Sequence, residues 1–243
     1  MEQLIRQAVD LMRARYFDPL TLDDMADAAI MSKFHFIRMF RVVVGVTPCR
    51  YLSALRIQHA KRLLRSTTMN VSEISAEVGY SSTGSFTRRF TASVGCSPIQ
   101  YRNHALVEQR RVVPAHPGGG AVTGTLHAPD QAAPALYVGV FESPILECPP
   151  VAHAVLERPG AFRLDRVPAG AWYLHAIGSV APGGDGARRA RRLLVDSRGP
   201  VEVASGGKVE VDLTVEPHRW TDPPMLFALP QLEAAEDVLA RAA

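Results

Sequence analysis

SKFHFIRMFRVVVGVTPCRY, residues 32–51, and STGSFTRRFTASVGCSPIQY, residues 82–101, carry one pattern twice. Phe36, Arg38, Phe40, Gly45, Pro48 and Tyr51 return fifty positions later as Phe86, Arg88, Phe90, Gly95, Pro98 and Tyr101. Self-similarity at a fixed period marks a duplicated structural unit. Each copy predicts two short helices joined by a tight turn, the second helix presenting a polar, partly basic outer face. The paired phenylalanines, four apart, belong to the core side of that helix and hold it in place.

Working outward, Ile5, Val9, Met12 and Tyr16 step by three and four, the mark of an opening amphipathic helix that Asp18-Pro19 stops. Thr21 predicts the N-cap of a helix over 22–29 that buries Leu22, Met25, Ala26 and Ala29, with Asp23 and Asp24 in its first turn. Ser32 predicts the cap of a helix over 33–43, which leaves Phe34, His35, Ile37, Arg38 and Arg41 on outer faces. A long linking helix follows Pro48, with Ile57, Ala60 and Leu64 inward. In the second copy Val71 and Ile74 open the first helix, with Ser72 or a neighbour as cap. Gly79 supplies the inter-helix turn, where positive φ suits a residue without a Cβ. Ser81 or Ser82 then caps a helix whose outer face carries Thr83, Gly84, Ser85, Thr87, Arg88 and Arg89. In the first copy Ile30 stands where that glycine is expected.

Charge is divided between the halves. Residues 1–112 hold 16 Lys and Arg against 9 Asp and Glu, a net of +7, and residues 113–243 hold 11 against 15, a net of −4. A basic half suits a polyanion, because Lys and Arg displace counterions from phosphates. Charge alone leaves open that the arginines only solubilise a small domain. Arg6, Asp10, Arg13 and Arg15 interrupt the N-terminal stretch, which leaves no signal-peptide core, and no apolar run approaches a membrane span. A cytoplasmic protein is expected. Cys49, Cys96 and Cys148 show no CxxC spacing and the histidines no HExxH pair, so neither a metal site nor a cofactor is expected.

The motifs R-x-x-x-A-x-x-L-L at 56–64, V-G-Y at 78–80, S-F-T-R-R-F at 85–90 and G-C-S-P-x-x-Y-R at 95–102 follow one another in order. With S-K-F-H-F-I-R-M-F at 32–40 and G-V-T-P at 45–48, they resemble the AraC/XylS family of transcription regulators. The resemblance covers about residues 3–106. It implies two helix-turn-helix units fixed by the linking helix, entering successive major grooves of double-stranded DNA at a site of about 20 base pairs. Carried over, the base-reading candidates are Phe34, Ile37 and Arg38 in the first head and Thr83, Gly84, Ser85, Thr87 and Arg88 in the second. Arg38 and Arg88 lead them, since a guanidinium takes guanine O6 and N7 together. Ser32, Lys33, Arg41, Ser82 and Arg89 are expected at phosphates, which position without specifying sequence. This chain departs from the family pattern at Ile30 and at Gly84, which puts no side chain where relatives often read a base.

Residues 109–120 lose helical period and end in three glycines, which predicts a linker. Beyond it the period becomes two. Val209, Val211, Leu213 and Val215 alternate with polar residues, predicting one half-buried antiparallel strand. Phe162 and Leu164, a turn at Val167-Pro168-Ala169-Gly170, and Trp172, Leu174 and Ala176 predict a hairpin. Further strands are expected at 122–127, 135–141, 154–157 and 193–203. About seven strands predict an antiparallel β-sandwich over 121–216. The run from Pro159 to Ala176 resembles the transthyretin-like fold of carboxypeptidase regulatory domains. The loop 182–192, PGGDGARRARR, is expected to be a mobile, solvated one; the alternative is that it adds DNA phosphate contacts or binds an anionic ligand. The tail 217–243 offers Trp220, Met225, Leu226 and Phe227 and then a short helix with Leu232, Val238 and Leu239, expected to pack on one of the two domains.

The expected architecture is therefore an all-α tandem helix-turn-helix domain at 1–108, a linker at 109–120, an all-β antiparallel sandwich and a C-terminal tail with a short helix. The expected function is sequence-specific regulation of transcription, as an activator by family resemblance, with RNA polymerase as partner. The sandwich is expected to sense a small-molecule effector or contact a partner; the alternative is a sandwich serving only oligomerisation or docking. An enzyme is not expected: the alkyl-repair methyltransferases that carry such a DNA-binding unit need a P-C-H motif, and Cys148 stands in LECPPV.

Overall fold

The computed structural model describes residues 1–103, 118–129, 136–180 and 192–227. They divide into a helical unit, which takes in residues 145–147 and 219–227 besides the N-terminal half, and a β unit. The expected loop at 182–192, apart from the strand residue Arg192, and the expected C-terminal helix lie outside the described residues, as does most of the expected linker.

In the helical unit α1 (Glu2–Ala14) buries Ile5, Ala8, Val9 and Met12 along one face. α2 (Leu22–Ala28) starts at a reciprocal capping box, in which Thr21 accepts from the Asp24 amide and Asp24 accepts from the Thr21 amide. α5 (Val71–Glu77) has the same device at the matching place, but its cap is Asn70 with Glu73, not Ser72. Asn70 wins because its partner acid falls three residues on, where both orphan amides are reached. α3 (Lys33–Val44) and α6 (Thr83–Val94) each end at a left-handed glycine, Gly45 and Gly95. α4 (Pro48–Ser66) links the copies and α7 (Pro98–Arg102) closes the second.

The duplication extends into the packing. Phe36 lies 5.5 Å from Phe40, which lies 5.7 Å from Tyr51, and Phe86 lies 5.6 Å from Phe90, which lies 5.7 Å from Tyr101. All six rings are buried. Each contributes about 1.5–3 kcal/mol of apolar burial, which anchors α3 to α4 and α6 to α7.

The turn at Ile30 takes the same path as the turn at Gly79. Ile30 has φ 53° and Gly79 φ 80°. The Met31 amide bonds back to the Ala26 carbonyl and the Tyr80 amide to the Ser75 carbonyl, both at 3.0 Å. In the first head a β-branched residue thus holds the left-handed conformation that glycine holds in the second.

The β unit has two sheets. In one, β1 (Gly120–His127) pairs antiparallel with β4 (Gly160–Val167) and parallel with β7 (Lys208–Glu210) and then β8 (Leu213–Thr214). In the other the order is β3 (Ala152–Leu156), β2 (Leu136–Phe141), β5 (Gly170–Val180), β6 (Arg192–Val203), β9 (Glu216–Pro217). Val122, Leu126, Phe162 and Leu164 of the first sheet and Val138, Leu174 and Ala176 of the second belong to one buried cluster.

Two expectations change here. The stretch 209–215 is not one antiparallel strand but two short segments running parallel to β1. Between them the Asp212 carboxylate accepts the Thr125 amide at 2.7 Å, taking the place of a backbone carbonyl in the ladder. Gly124 makes room for this, since a Cβ there would stand 2.0 Å from the Val211 carbonyl oxygen. The expected hairpin at 162–176 is instead a corner between sheets: β4 pairs with β1, and β5 with β2 and β6. Trp172 Nε1 donates to the Pro168 carbonyl at 2.7 Å and fixes that corner.

Candidate nucleic-acid interface

The outer row of α3 follows from its inner row. With Phe36, Phe40 and Val44 buried, positions 34, 38 and 41 fall away from the core on a 3.6-residue helix, and Lys33 is open as the first residue of α3. Ser32, Lys33, Phe34, Arg38 and Arg41 are exposed and Ile37 is half-buried. Phe34 is 87% exposed, so this face carries a bare aromatic ring beside two guanidinium groups. Lys33 Nζ lies 2.8 Å from Asp23 Oδ1, with both groups open to water. Such a pair is worth under about 1 kcal/mol, so the ammonium is readily given to a stronger anion.

The outer row of α6 is chemically different. Ser82, Gly84, Ser85 and Arg88 are exposed, and Thr83 and Thr87 half-buried. Ser82 Oγ accepts the Ser85 amide at 3.3 Å, and Thr83 Oγ1 donates to Ser72 Oγ at 3.1 Å, so the hydroxyl row is tied to its own head. A Cβ at Gly84 would meet nothing within 4 Å, so the surface there is flat and open. At equivalent positions the heads set Phe34 against Gly84, Ile37 against Thr87, and arginine against arginine at 38 and 88. Chemically, the arginines can take guanine, the apolar residues the thymine methyl, and the hydroxyls either donor or acceptor edges.

Arg89 behaves unlike its neighbour. Its Nε donates to Ser53 Oγ at 3.1 Å and its Nη2 to Glu147 Oε2 at 2.9 Å, so its guanidinium is engaged inside the unit and not presented with Arg88. Sequence reading grouped Arg88 and Arg89 on one face; a partner 58 residues away separates them.

The heads meet at a joint. Arg56 of α4 donates from Nε to the Tyr16 carbonyl and from Nη2 to the Asp18 carbonyl, each at 2.7 Å, and lies 5.9 Å from the Tyr80 ring centroid. A Cβ on Gly79 would stand 2.5 Å from the Phe17 carbonyl oxygen. Beside this joint His59 stacks on Tyr16 at 3.7 Å. Burial, helped by the charge of Arg62, lowers its pKa to about 4, so it is neutral at pH 7. Arg56 was visible only as part of a motif and Glu147 carried no sequence signal, because neither is marked by local period.

With this geometry in hand, residues 25–104 match the model of a helix-turn-helix domain. Residues 25–104 form an AraC-family helix-turn-helix domain. The chain is 31% identical over 107 residues to the lactose operon transcription activator of Staphylococcus xylosus, covering 44% of this chain and 38% of that protein. It is 39% identical over 82 residues to the RCS-specific transcriptional activator RclR of Escherichia coli, 34% of this chain and 29% of that one. The chain thus spans about a third of the length of these relatives. The relatives reported are regulators by name, not enzymes. The DNA-binding domain of AdpA, solved with a target DNA, aligns with 44% of this chain and 96% of its own at 25% identity and a TM-score of 0.41. Among the described residues no helix is long and apolar enough to cross a membrane.

Proposed function

We propose that this chain is a sequence-specific DNA-binding transcription regulator whose α3 and α6 enter successive major grooves. The observation that carries the reading is the pair of like-folded heads presenting Arg38 and Arg88 at equivalent exposed positions. Among the described residues no hydrogen bond or ion pair engages either side chain. The linking helix supports it: 19 residues span about 28 Å at 1.5 Å per residue, comparable with the roughly 34 Å between successive major grooves. Phe34, Ile37, Arg38, Thr83, Gly84, Ser85, Thr87 and Arg88 face the bases. Ser32, Lys33, Arg41 and Ser82 face phosphates, and Arg89 joins them only by leaving Glu147. The chain works in the cytoplasm as an activator, the role named for two relatives, with RNA polymerase as its partner. The β unit, a sandwich by its resemblance to carboxypeptidase regulatory domains, serves a small-molecule effector or a protein contact.

In vitro selection of the full chain on random duplexes, at fixed salt, tests this reading. One asymmetric site of about 20 base pairs is the expected result. Arg38→Ala and Arg88→Ala should each relax preference at one base step by about 1–3 kcal/mol. Equal losses on selected and random DNA would assign the arginines to phosphates, and a selection that enriches nothing would sink the reading.

A further inference from the structure

Glu147 lies between β2 and β3 in the sequence, yet its side chain is buried in the helical unit with 4% exposure. Both carboxylate oxygens are engaged there. Oε1 accepts from Arg50 Nη2 at 2.7 Å, and Oε2 accepts from Arg89 Nη2 at 2.9 Å and from Ser93 Oγ at 3.1 Å. Arg50 stands in the first turn of α4. Arg89 and Ser93, four apart, share one face of α6. A single carboxylate therefore ties the start of the linking helix to the second half of the second reading helix. The segment that bears it is itself anchored: Ile145 and Leu226 are fully buried in the helical core, and the Leu226 and Phe227 amides donate to the Leu146 carbonyl at 2.8 and 3.0 Å.

The duplication supplies an internal control. Fifty residues earlier, the positions of Arg89 and Ser93 are Met39 and Val43, both apolar and packed against the core. The first head holds its reading helix without an ionic group at this place. The polar pair on α6 is thus a departure from the shared pattern, and Glu147 is its match. A buried carboxylate is tolerated only where donors satisfy it, and removing one partner leaves the others uncompensated.

We propose that Glu147 is a positioning residue of the second head. Its carboxylate sets how α6 is held on α4, and so how Arg88, Thr87 and Ser85 are presented. The inference rests on the DNA-binding reading above.

The test uses the full chain and a duplex selected by the unaltered protein, with base preference measured separately in the half-sites of the two heads. Binding is measured well below the melting temperature of each variant. Glu147→Gln should weaken binding by about tenfold, the scale of losing a charge-assisted hydrogen bond. It should flatten base preference in the second half-site and leave the first unchanged. Arg89→Met, which copies the first head, should do the same, and the double variant should lose no more than either single one. If Glu147→Gln does not fold, Glu147→Leu with Arg89→Met supplies the apolar match that the first head uses, and the same half-site readout applies. Wild-type preference in both half-sites, or an equal loss in both, would overturn the proposal. Unaltered protein that selects no duplex would instead overturn the DNA-binding reading, and this proposal with it.

Discussion

Ile30 and Gly79 hold the same backbone turn with opposite side-chain logic. The left-handed conformation costs a residue with a Cβ roughly 1–2 kcal/mol, and Ile30, at φ 53°, is β-branched as well. Its side chain is 79% exposed, so little packing is gained in return. Ile30→Gly should therefore stabilise the helical unit by about 1 kcal/mol, after allowing for the greater freedom of glycine in the unfolded chain. A urea denaturation midpoint that rises checks this; a fall would mean that the isoleucine makes a contact worth more than its strain. Gly79 is the reverse case. Alanine there would bring its Cβ to 2.5 Å from the Phe17 carbonyl oxygen, in a joint already pinned by Arg56. Gly79→Ala should cost at least about 2 kcal/mol by the same measurement, through strain and collision together.

Secondary elements show where local pattern stops being informative. Trp172 holds the corner between β4 and β5, and Trp172→Phe would keep the ring's burial while leaving the Pro168 carbonyl without that donor. A loss of about 1 kcal/mol is expected from the β-unit transition in thermal denaturation. A loss near zero would show that water satisfies the carbonyl equally well. The helices were legible in sequence because their signals are local: apolar residues at three and four, Thr21 with Asp24, Pro48 and Pro98 at first turns, Gly45 and Gly95 at the ends. The faces of the strands were legible too, since Leu213 and Val215 are buried and Glu210, Asp212 and Thr214 exposed. Their partners were not. Alternation fixes which face a residue takes but says nothing of the neighbour or its direction, so β7 and β8 read as one antiparallel strand and β4 with β5 as a hairpin. The exposed faces of α3 and α6 followed from helical spacing. The separation of Arg89 from Arg88 did not, because it depends on a carboxylate in another part of the chain.

At the scale of the molecule, each unit carries a histidine held neutral by its surroundings, half-buried at His59 and buried at His175. His59 lies against Tyr16, and neutral His175 donates from Nε2 to the Ser143 carbonyl and accepts at Nδ1 from the Ser197 hydroxyl; burial lowers both pKa values to about 4. In the unfolded chain these groups titrate near 6.5, so between pH 6.5 and 4 the unfolded state binds more protons. Stability is therefore full above pH 6.5 and falls as pH drops toward 4, by up to about 3 kcal/mol for each histidine. Urea midpoints at pH 7, 6 and 5 should decline in both units, and His59→Phe should flatten the decline of the helical one. An unchanged slope in that variant would place the acid sensitivity elsewhere. The helical core also contains Ile145 and Leu226, which are encoded far downstream of α7. During synthesis the seven helices leave the ribosome well over a hundred residues before Leu226 does, a lag on the order of ten seconds. The first half to be made is thus among the last to be finished: a nascent chain stalled within the β strands would carry helices with a hole in their core, open to chaperones and proteases until its final segments arrive.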